Sequence, residues 1–534
     1  MGYRLHDGVR VEPEVFGWPA WWCNVAPAAA ALHACRSQLP ALRSYLRNPA
    51  AHARAASDPK LSGGAFVGVP PERATEVRLL LEAMEAEYAD DCAFAEAWAA
   101  LGERLRASAR GQSLESAYAD VPAALGGLVE LGYDYDNRPA VRLDEGFAYA
   151  TGLYKTGRQG VVLCDGTPLD RRPFYASTPN VAAAGLRVRT PFGGAALREL
   201  LDLDLRPAPD FERAEALFRA FAPASPADEA RRWLADAPPL AAPAWDERRV
   251  RVRYIGHACL LVQHAGCSVL VDPFVPQGRH GTGVFGLESL PERVDVVLVT
   301  HAHPDHFDLE TLVRLRPRAG KVVVPRNGGL LLGDVSLKRI LREVGYADVE
   351  ELASGDRLAL PSGELVALPF LGEHGDVLNG AKATYWLRFG GESLLAAADS
   401  ACHDPRAYER ARALVGRVDH VFMNVELDGA PIGWPFDALL PKGRDRKLES
   451  SRRCRGSNVE EGLRLLRAVG AKALYVYAMG LEPWVERITG PASRVDSPRL
   501  RAADELVGRA GELGVRARRL GGPEDIVLGP EGPA

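Results

Sequence analysis

No run of about 18 apolar residues occurs anywhere in the 534-residue chain, so the sequence offers no membrane span. The opening stretch, MGYRLHDGVRVEPEVF, has no apolar core of the signal-peptide kind, and export is not expected. No CxxC pair and no regular spacing joins Cys23, Cys35, Cys92, Cys164, Cys259, Cys267, Cys402 and Cys454. They read as reduced, mostly buried thiols of a cytoplasmic protein. A basic domain is missing too: the aromatics are spread out and the net charge is −5, which leaves no reason to invoke nucleic acid. There is no repeat at a fixed period and no flavin or nicotinamide motif. Gly281-Thr282-Gly283-Val284-Phe285-Gly286 matches GxGxxG on paper, but it follows no expected strand and opens no helix, so it reads as a loop.

What is present is an ordinary globular composition, 47% hydrophobic and 25% charged, at a length that implies two or three domains. Residues 1–245 hold no cluster of metal-binding side chains and read as a mixed α and β domain. Pro71 opens a helix with Val77, Leu80, Leu81, Met84 and Tyr88 on one stripe. After the turn at Asp136 to Pro139, Val141 to Tyr149 reads as a strand. Pro223, Pro226, Pro238, Pro239 and Pro243 then mark a boundary, with a short helix around Arg231 to Ala235 between them. Residues 246–534 form the second domain, rich in short apolar strands.

The chemistry gathers at Thr300-His301-Ala302-His303-Pro304-Asp305-His306, directly after the apolar run Val294 to Val299. That run suits a strand buried on both faces. On a chain leaving it extended, His301 and His303 project to one side, and Asp305 and His306 return to the same point after the turn. Asp308 is the expected N-cap of a helix over Leu309 to Leu315. Such a cluster is what a two-metal site needs. Two later strands also end in carboxylates. Glu373 and His374 follow the strand ending at Phe370, and either suits a ligand. Asp399 follows Ser393 to Ala398 and suits a bridging one.

Tyr254-Ile255-Gly256-His257-Ala258, Val271-Asp272-Pro273, the HAHPDH run, the Glu373/His374 loop and Ala398-Asp399 stand in the order seen in the metallo-β-lactamase superfamily. The resemblance covers about residues 248–520 and implies an αββα sandwich with a dinuclear site. The α+β fold expected is therefore this sandwich preceded by a separate mixed α/β domain. Most members are dizinc hydrolases, and hydrolysis of an ester, lactone, thioester or phosphodiester is the alternative reading. Two departures oppose it: the loop where dizinc members usually place a histidine ligand holds both Glu373 and His374, either of which suits the role, and the usual last histidine is missing, since none occurs after His420 and Tyr477-Ala478-Met479-Gly480 carries none.

The chain resembles, more particularly, the diiron β-hydroxylases of nonribosomal peptide pathways. That resemblance implies a cluster of three His, two Asp and one Glu, matched here by His301, His303, His306, Asp305, Asp399 and Glu373. It implies an oxo-bridged pair of iron ions that consumes O₂ and external electrons. The implied reaction is hydroxylation of the β-carbon of an aminoacyl thioester on a peptidyl-carrier domain, by a cytoplasmic homodimer whose N-terminal domain serves dimerisation and synthetase recognition. Three carboxylates against two Fe(II) leave a net +1 (4 − 3), and hard oxygen ligands favour iron over zinc. His374 and Glu426 are candidates to act from behind the ligands, and His257 reads as structural. Between Lys442 and Arg455 lie seven basic residues, read as a solvated loop or as a docking surface for an acidic carrier.

Overall fold

Two seven-stranded sheets, face to face, make up the second half of the chain in the computed structural model, which describes residues 2–58, 61, 63–167, 172–182, 184–329, 331–440, 445–449, 451–489 and 497–529. The first sheet sets Val294–Leu298 in its interior, parallel to Cys267–Val271 on one side and Ala319–Pro325 on the other. Both faces of that strand are covered, as its unbroken apolar character requires. Val296 and Leu298 enter the layer between the sheets, while Val294 and Val297 face outward into a second core. In the second sheet Gly363–Leu368, Thr384–Phe389 and Glu392–Ala398 run antiparallel, and His420–Met423 and Ala473–Val476 follow in parallel. Val459–Val469 and Pro498–Glu512 cover its outer face with Leu463, Leu466 and Leu506. This is the αββα sandwich.

The first half is built on an antiparallel sheet in which Val9–Val15 pairs with Trp18–Pro19 and with Gln159–Asp165, and the latter pairs with Leu186–Arg189. Helices Pro27–His33, Leu39–Arg47, Ala74–Glu87 and Ala89–Ser108 pack beside it. Pro71 opens a 3₁₀ turn that runs into Ala74–Glu87, whose expected stripe buries Val77, Leu81 and Met84. The strand expected over Val141 to Tyr149 is shorter. It spans Pro139–Leu143, because Asp144 accepts from the Phe147 N–H and caps a helix, Glu145–Ala150. The short helix expected at Arg231 to Ala235 runs from Glu229 to Trp233 and gives way to a strand, Leu234–Asp236.

Not all the cysteines are thiols. Cys35 and Cys92, 57 residues apart, form a disulfide, whereas Cys23, Cys164, Cys259, Cys267, Cys402 and Cys454 are free and buried. Packing of the segment Ala34–Gln38 against Ala89–Ser108 brings the two Cα atoms to 5.4 Å, inside the usual span for a bridge.

A single apolar layer joins the halves. Val9, Val11, Trp22, Leu163, Phe192 and Leu197 belong to the same core as Val297, Leu309, Leu312, Val322 and Ile340. Among the described residues, no helix is long and apolar enough to cross a membrane.

Candidate metal centre

The site lies at the end of the sandwich where the interior strands of both sheets stop. The backbone there is bent in a costly way. His257, Asp272, Glu373, Asp376, Ala398 and Ala478 all have positive φ, between +45° and +70°. Side chains other than glycine rarely adopt that conformation unless surrounding structure enforces it, and such residues cluster at functional sites. All but the exposed Asp376 stand at a strand end or carry a polar group inward. Asp399 follows Ala398 (φ +46°) at an irregularity in the pairing of Glu392–Ala398 with His420–Met423.

The HxHxDH run leaves Val294–Leu298 as expected, and Asp308 caps Leu309–Leu315 by accepting from the Thr311 N–H at 2.9 Å. His301 and His306 are fully buried, and Glu373 and Asp399 are nearly so. His303 Nδ1 lies 2.6 Å from Glu373 Oε1, His301 Nε2 lies 3.9 Å from both Glu373 Oε2 and Asp399 Oδ2, and His306 Nε2 lies 3.2 Å from Asp399 Oδ2. Asp305 Oδ2 is 3.9 Å from His306 Nε2. All six candidate ligands therefore converge. Ligand-competent atoms of His301, His303 and Glu373 fall within 4.8 Å of one another, and so do those of His301, His306 and Asp399. Two adjacent positions sharing an imidazole wall suit a metal pair.

The residues fit metal on a second count. Buried polar atoms normally find a hydrogen-bond partner. The Nε2 atoms of His301, His303 and His306, Glu373 Oε2 and Asp399 Oδ1 are buried and have none among the described residues. Asp272 fixes which nitrogen is left over. Its carboxylate accepts from the Thr300 N–H (2.7 Å), the Thr300 hydroxyl (2.8 Å) and His306 Nδ1 (2.8 Å). With its proton spent on Asp272, the Thr300 oxygen accepts from His301 Nδ1 at 3.0 Å. Both rings thus place their Nδ1 against a neighbouring oxygen and turn Nε2 into the site, the nitrogen a metal would take in place of a proton. Burial works against charge on His306, but Asp399 and Asp272 outweigh it and raise the imidazole's proton affinity, which a bound cation would relieve.

The chain is 35% identical to the 4-amino-L-phenylalanyl-[CmlP-peptidyl-carrier-protein] 3-hydroxylase of Streptomyces venezuelae over 97% of its own length and 98% of that protein's. It belongs to the diiron non-heme β-hydroxylases. The family's N-terminal domain matches residues 4–238, and a β-lactamase superfamily domain matches residues 251–355. The crystal structure of CmlA, a diiron β-hydroxylase from Streptomyces venezuelae, superposes with a TM-score of 0.90 at 31% identity, covering 99% of this chain and 100% of that one. A shorter similarity, 36% identity over 77 residues, reaches a UPF0173 metal-dependent hydrolase of Thermus thermophilus, covering 14% of this chain and 30% of that protein.

In this diiron β-hydroxylase the structure separates Glu373 from His374. Glu373 joins two imidazoles in a metal-sized group, while His374 stands behind it, with Nδ1 2.9 Å from Glu373 Oε2 and its ring 4.7 Å from that of His303. The Nδ1 contact is close but lies outside hydrogen-bond geometry, so both His374 nitrogens are left unpaired. Glu426 follows Asn424, whose N–H donates to the Ala398 carbonyl at 3.1 Å beside Asp399; its side chain is 31% exposed, with Arg499 Nη1 3.6 Å from its Oε1. Burial pushes Glu426 up to about 7; Arg499 opposes the shift, and Asp399, Asp305 and Glu373 add to it. Of the basic segment, Lys442 and Arg444 lie outside the described residues. Arg452 donates to the Gly375 carbonyl, Arg453 to those of Asp428 and Gly429, and Arg455 to Glu461, so these three brace loops around the cleft.

Three residues escaped the sequence as functional groups. His257 reads as structural there, yet its Nε2 lies 2.9 Å from Asp305 Oδ2, and it forms a third metal-sized group with Asp305 and His306. Glu482 in turn accepts from the His257 N–H (2.6 Å) and the Tyr254 hydroxyl (2.8 Å). Asp272, quoted only as part of a motif, orients two rings. Asp272→Asn removes the acceptor that sets the His306 and His301 tautomers and is expected to weaken metal binding about 10- to 100-fold. Competition against a chelator measures it, and an unaltered affinity would remove Asp272 from this role.

Proposed function

We propose that the chain hydroxylates the β-carbon of an aminoacyl group held as a thioester on a peptidyl-carrier domain of a nonribosomal peptide synthetase, in the biosynthesis of an antibiotic. The observation that carries this reading is the convergence of three imidazoles and three carboxylates with unpaired buried atoms, in a family whose Streptomyces venezuelae relative is a 3-hydroxylase of a carrier-bound amino acid. His301, His303, Asp305, His306, Glu373 and Asp399 are the proposed iron ligands. When bound, the iron pair supplies O₂ activation. The protein's part is positional. Asp272 and Thr300 hold the rings of His306 and His301, His257 holds Asp305, and His374 backs Glu373 and limits its swing. The balance is substrate C–H plus O₂, two electrons and two protons giving C–OH and water. The electrons come from an external donor, since the sequence carries no flavin or nicotinamide motif.

The proposed division places dimerisation and synthetase recognition in residues 1–245 and catalysis in 246–534. The homodimer and the cytoplasmic location belong to the same proposal, the latter supported by a carrier-bound substrate class and six free cysteines. The deciding experiment reduces the iron-loaded protein, admits O₂ with aminoacyl-loaded carrier domains and weighs the product. Gain of one oxygen on the β-carbon is expected. Release of the acyl group without oxygen gain defeats the reading in favour of hydrolysis.

A further inference from the structure

We infer that Glu426 is the residue that binds the α-ammonium group of the aminoacyl substrate, and so sets the preference for a free amino acid over an N-blocked or deaminated acyl group. The inference rests on the proposed function and asks what that chemistry demands of the cleft. Hydroxylation at the β-carbon requires that carbon to lie against the iron pair. The ammonium nitrogen is only two bonds away, so it must enter the same buried space. Two Fe(II) with Asp305, Asp399 and Glu373 carry a net +1 (4 − 3), and a second positive charge a few ångströms away in a poorly hydrated pocket is repelled. Some anion that is not itself a ligand has to stand beside the substrate.

Glu426 meets that requirement. It follows the strand His420–Met423, whose neighbour in the sheet, Glu392–Ala398, delivers Asp399. Its backbone is fixed by donation from its N–H to the Ser457 carbonyl at 3.0 Å. Two residues before it, the Asn424 N–H donates to the Ala398 carbonyl at 3.1 Å, which sets Glu426 beside the strand end that carries Asp399, and its side chain is 31% exposed and open to a ligand. Arg499 is held 3.6 Å from Oε1, beyond hydrogen-bond range, which leaves Oε2 as acceptor for an ammonium. The local charge is also consistent. Without metal or substrate, four carboxylates share one cleft and resist ionisation of Glu426. A bound iron pair and an ammonium both favour the ionised form, which cancels the cluster's net +1 and removes its repulsion of the incoming ammonium.

The test measures equilibrium binding of carrier domains to the iron-loaded enzyme without O₂. One carrier bears an aminoacyl group, and the other the same acyl group lacking the α-amine. The wild type is expected to bind the aminoacyl carrier about 10- to 100-fold more tightly, the range of a charge-assisted hydrogen bond. In Glu426→Gln this preference should fall to near unity with iron content and iron absorption unchanged, while Glu426→Asp should retain part of it. A wild type that binds both carriers equally, or a Glu426→Gln enzyme that keeps the preference, overturns the inference. A wild type that discriminates as expected but oxygenates neither carrier overturns the proposed reaction and leaves the ammonium site standing.

Discussion

Glu373→His should cost at least about 100-fold in hydroxylation and move the protein's metal preference from iron to zinc. The position carries the third carboxylate of the cluster. Its Oε1 lies 2.6 Å from His303 Nδ1, and its Oε2 is buried without a hydrogen-bond partner. Changing carboxylate to imidazole raises the net charge of two Fe(II) and their carboxylates from +1 to +2 (4 − 2). The higher iron oxidation states that O₂ chemistry passes through lose an anionic donor, whereas zinc gains the nitrogen-rich setting it prefers. Backbone strain does not confuse the result. Residue 373 has φ +70°, and histidine pays about the same penalty there as glutamate because neither branches at Cβ. Competitive loading with equal Fe(II) and Zn(II), followed by elemental analysis and product mass, gives the answer. Retained iron preference with full hydroxylation would show that Glu373 is not a ligand and would pass the role to His374, whose ring lies beside it.

Legibility of the site in the sequence follows the range of the contacts that build it. His301, His303, Asp305 and His306 are near neighbours at one strand end, so alternation and a turn suffice to place them together. Asp399 and Glu373 were findable because apolar runs end just before each. Asp272 was not. Its role arises because Val271 pairs with Leu298, and the Asp272 N–H donates to the Leu298 carbonyl at 2.8 Å, which brings its carboxylate to Thr300 two residues on. That register is a property of the sheet and leaves no local trace. His257 and Glu482 are hidden in the same way, 225 residues apart and joined by one hydrogen bond. In the first half one misreading has a local cause and the other a packing cause. An Asp cap turns the stretch after Leu143 into helix although Phe147 and Tyr149 favour a strand, and the Cys35–Cys92 bridge depends on helix packing that no spacing announces.

Residues 246–534 expressed alone should fail to reach a cooperatively folded, metal-binding state, although they contain every proposed ligand. The outer face of the first sheet is not solvent-facing. Val297, Leu309, Leu312, Val313, Leu315, Val322, Ile340 and Leu341 lie there at 0–1% exposure, in one core with Val9, Val11, Trp22, Phe192 and Leu197 of the first half. Baring such side chains costs about 1.5–3 kcal/mol each. Even three or four of them rival the whole stability of a typical protein, about 5–15 kcal/mol. The cut also orphans buried charges. Arg314 is 3% exposed, donates to Asp204 at 2.9 Å and also to the Val9 carbonyl, while Glu310 at 7% exposure takes Arg172 at 2.7 Å. Losing one partner of a buried pair costs about 3–5 kcal/mol. These losses fall on Leu309–Leu315, the helix that Asp308 starts two residues after His306, so the ligand turn loses its support along with the sheet. Gel filtration, near-ultraviolet circular dichroism and iron titration of the isolated half provide the measurement, and adding residues 1–245 in trans should restore part of the signal. A monomeric isolated half with a sharp unfolding transition and full iron uptake would show that the shared core is dispensable to the sandwich.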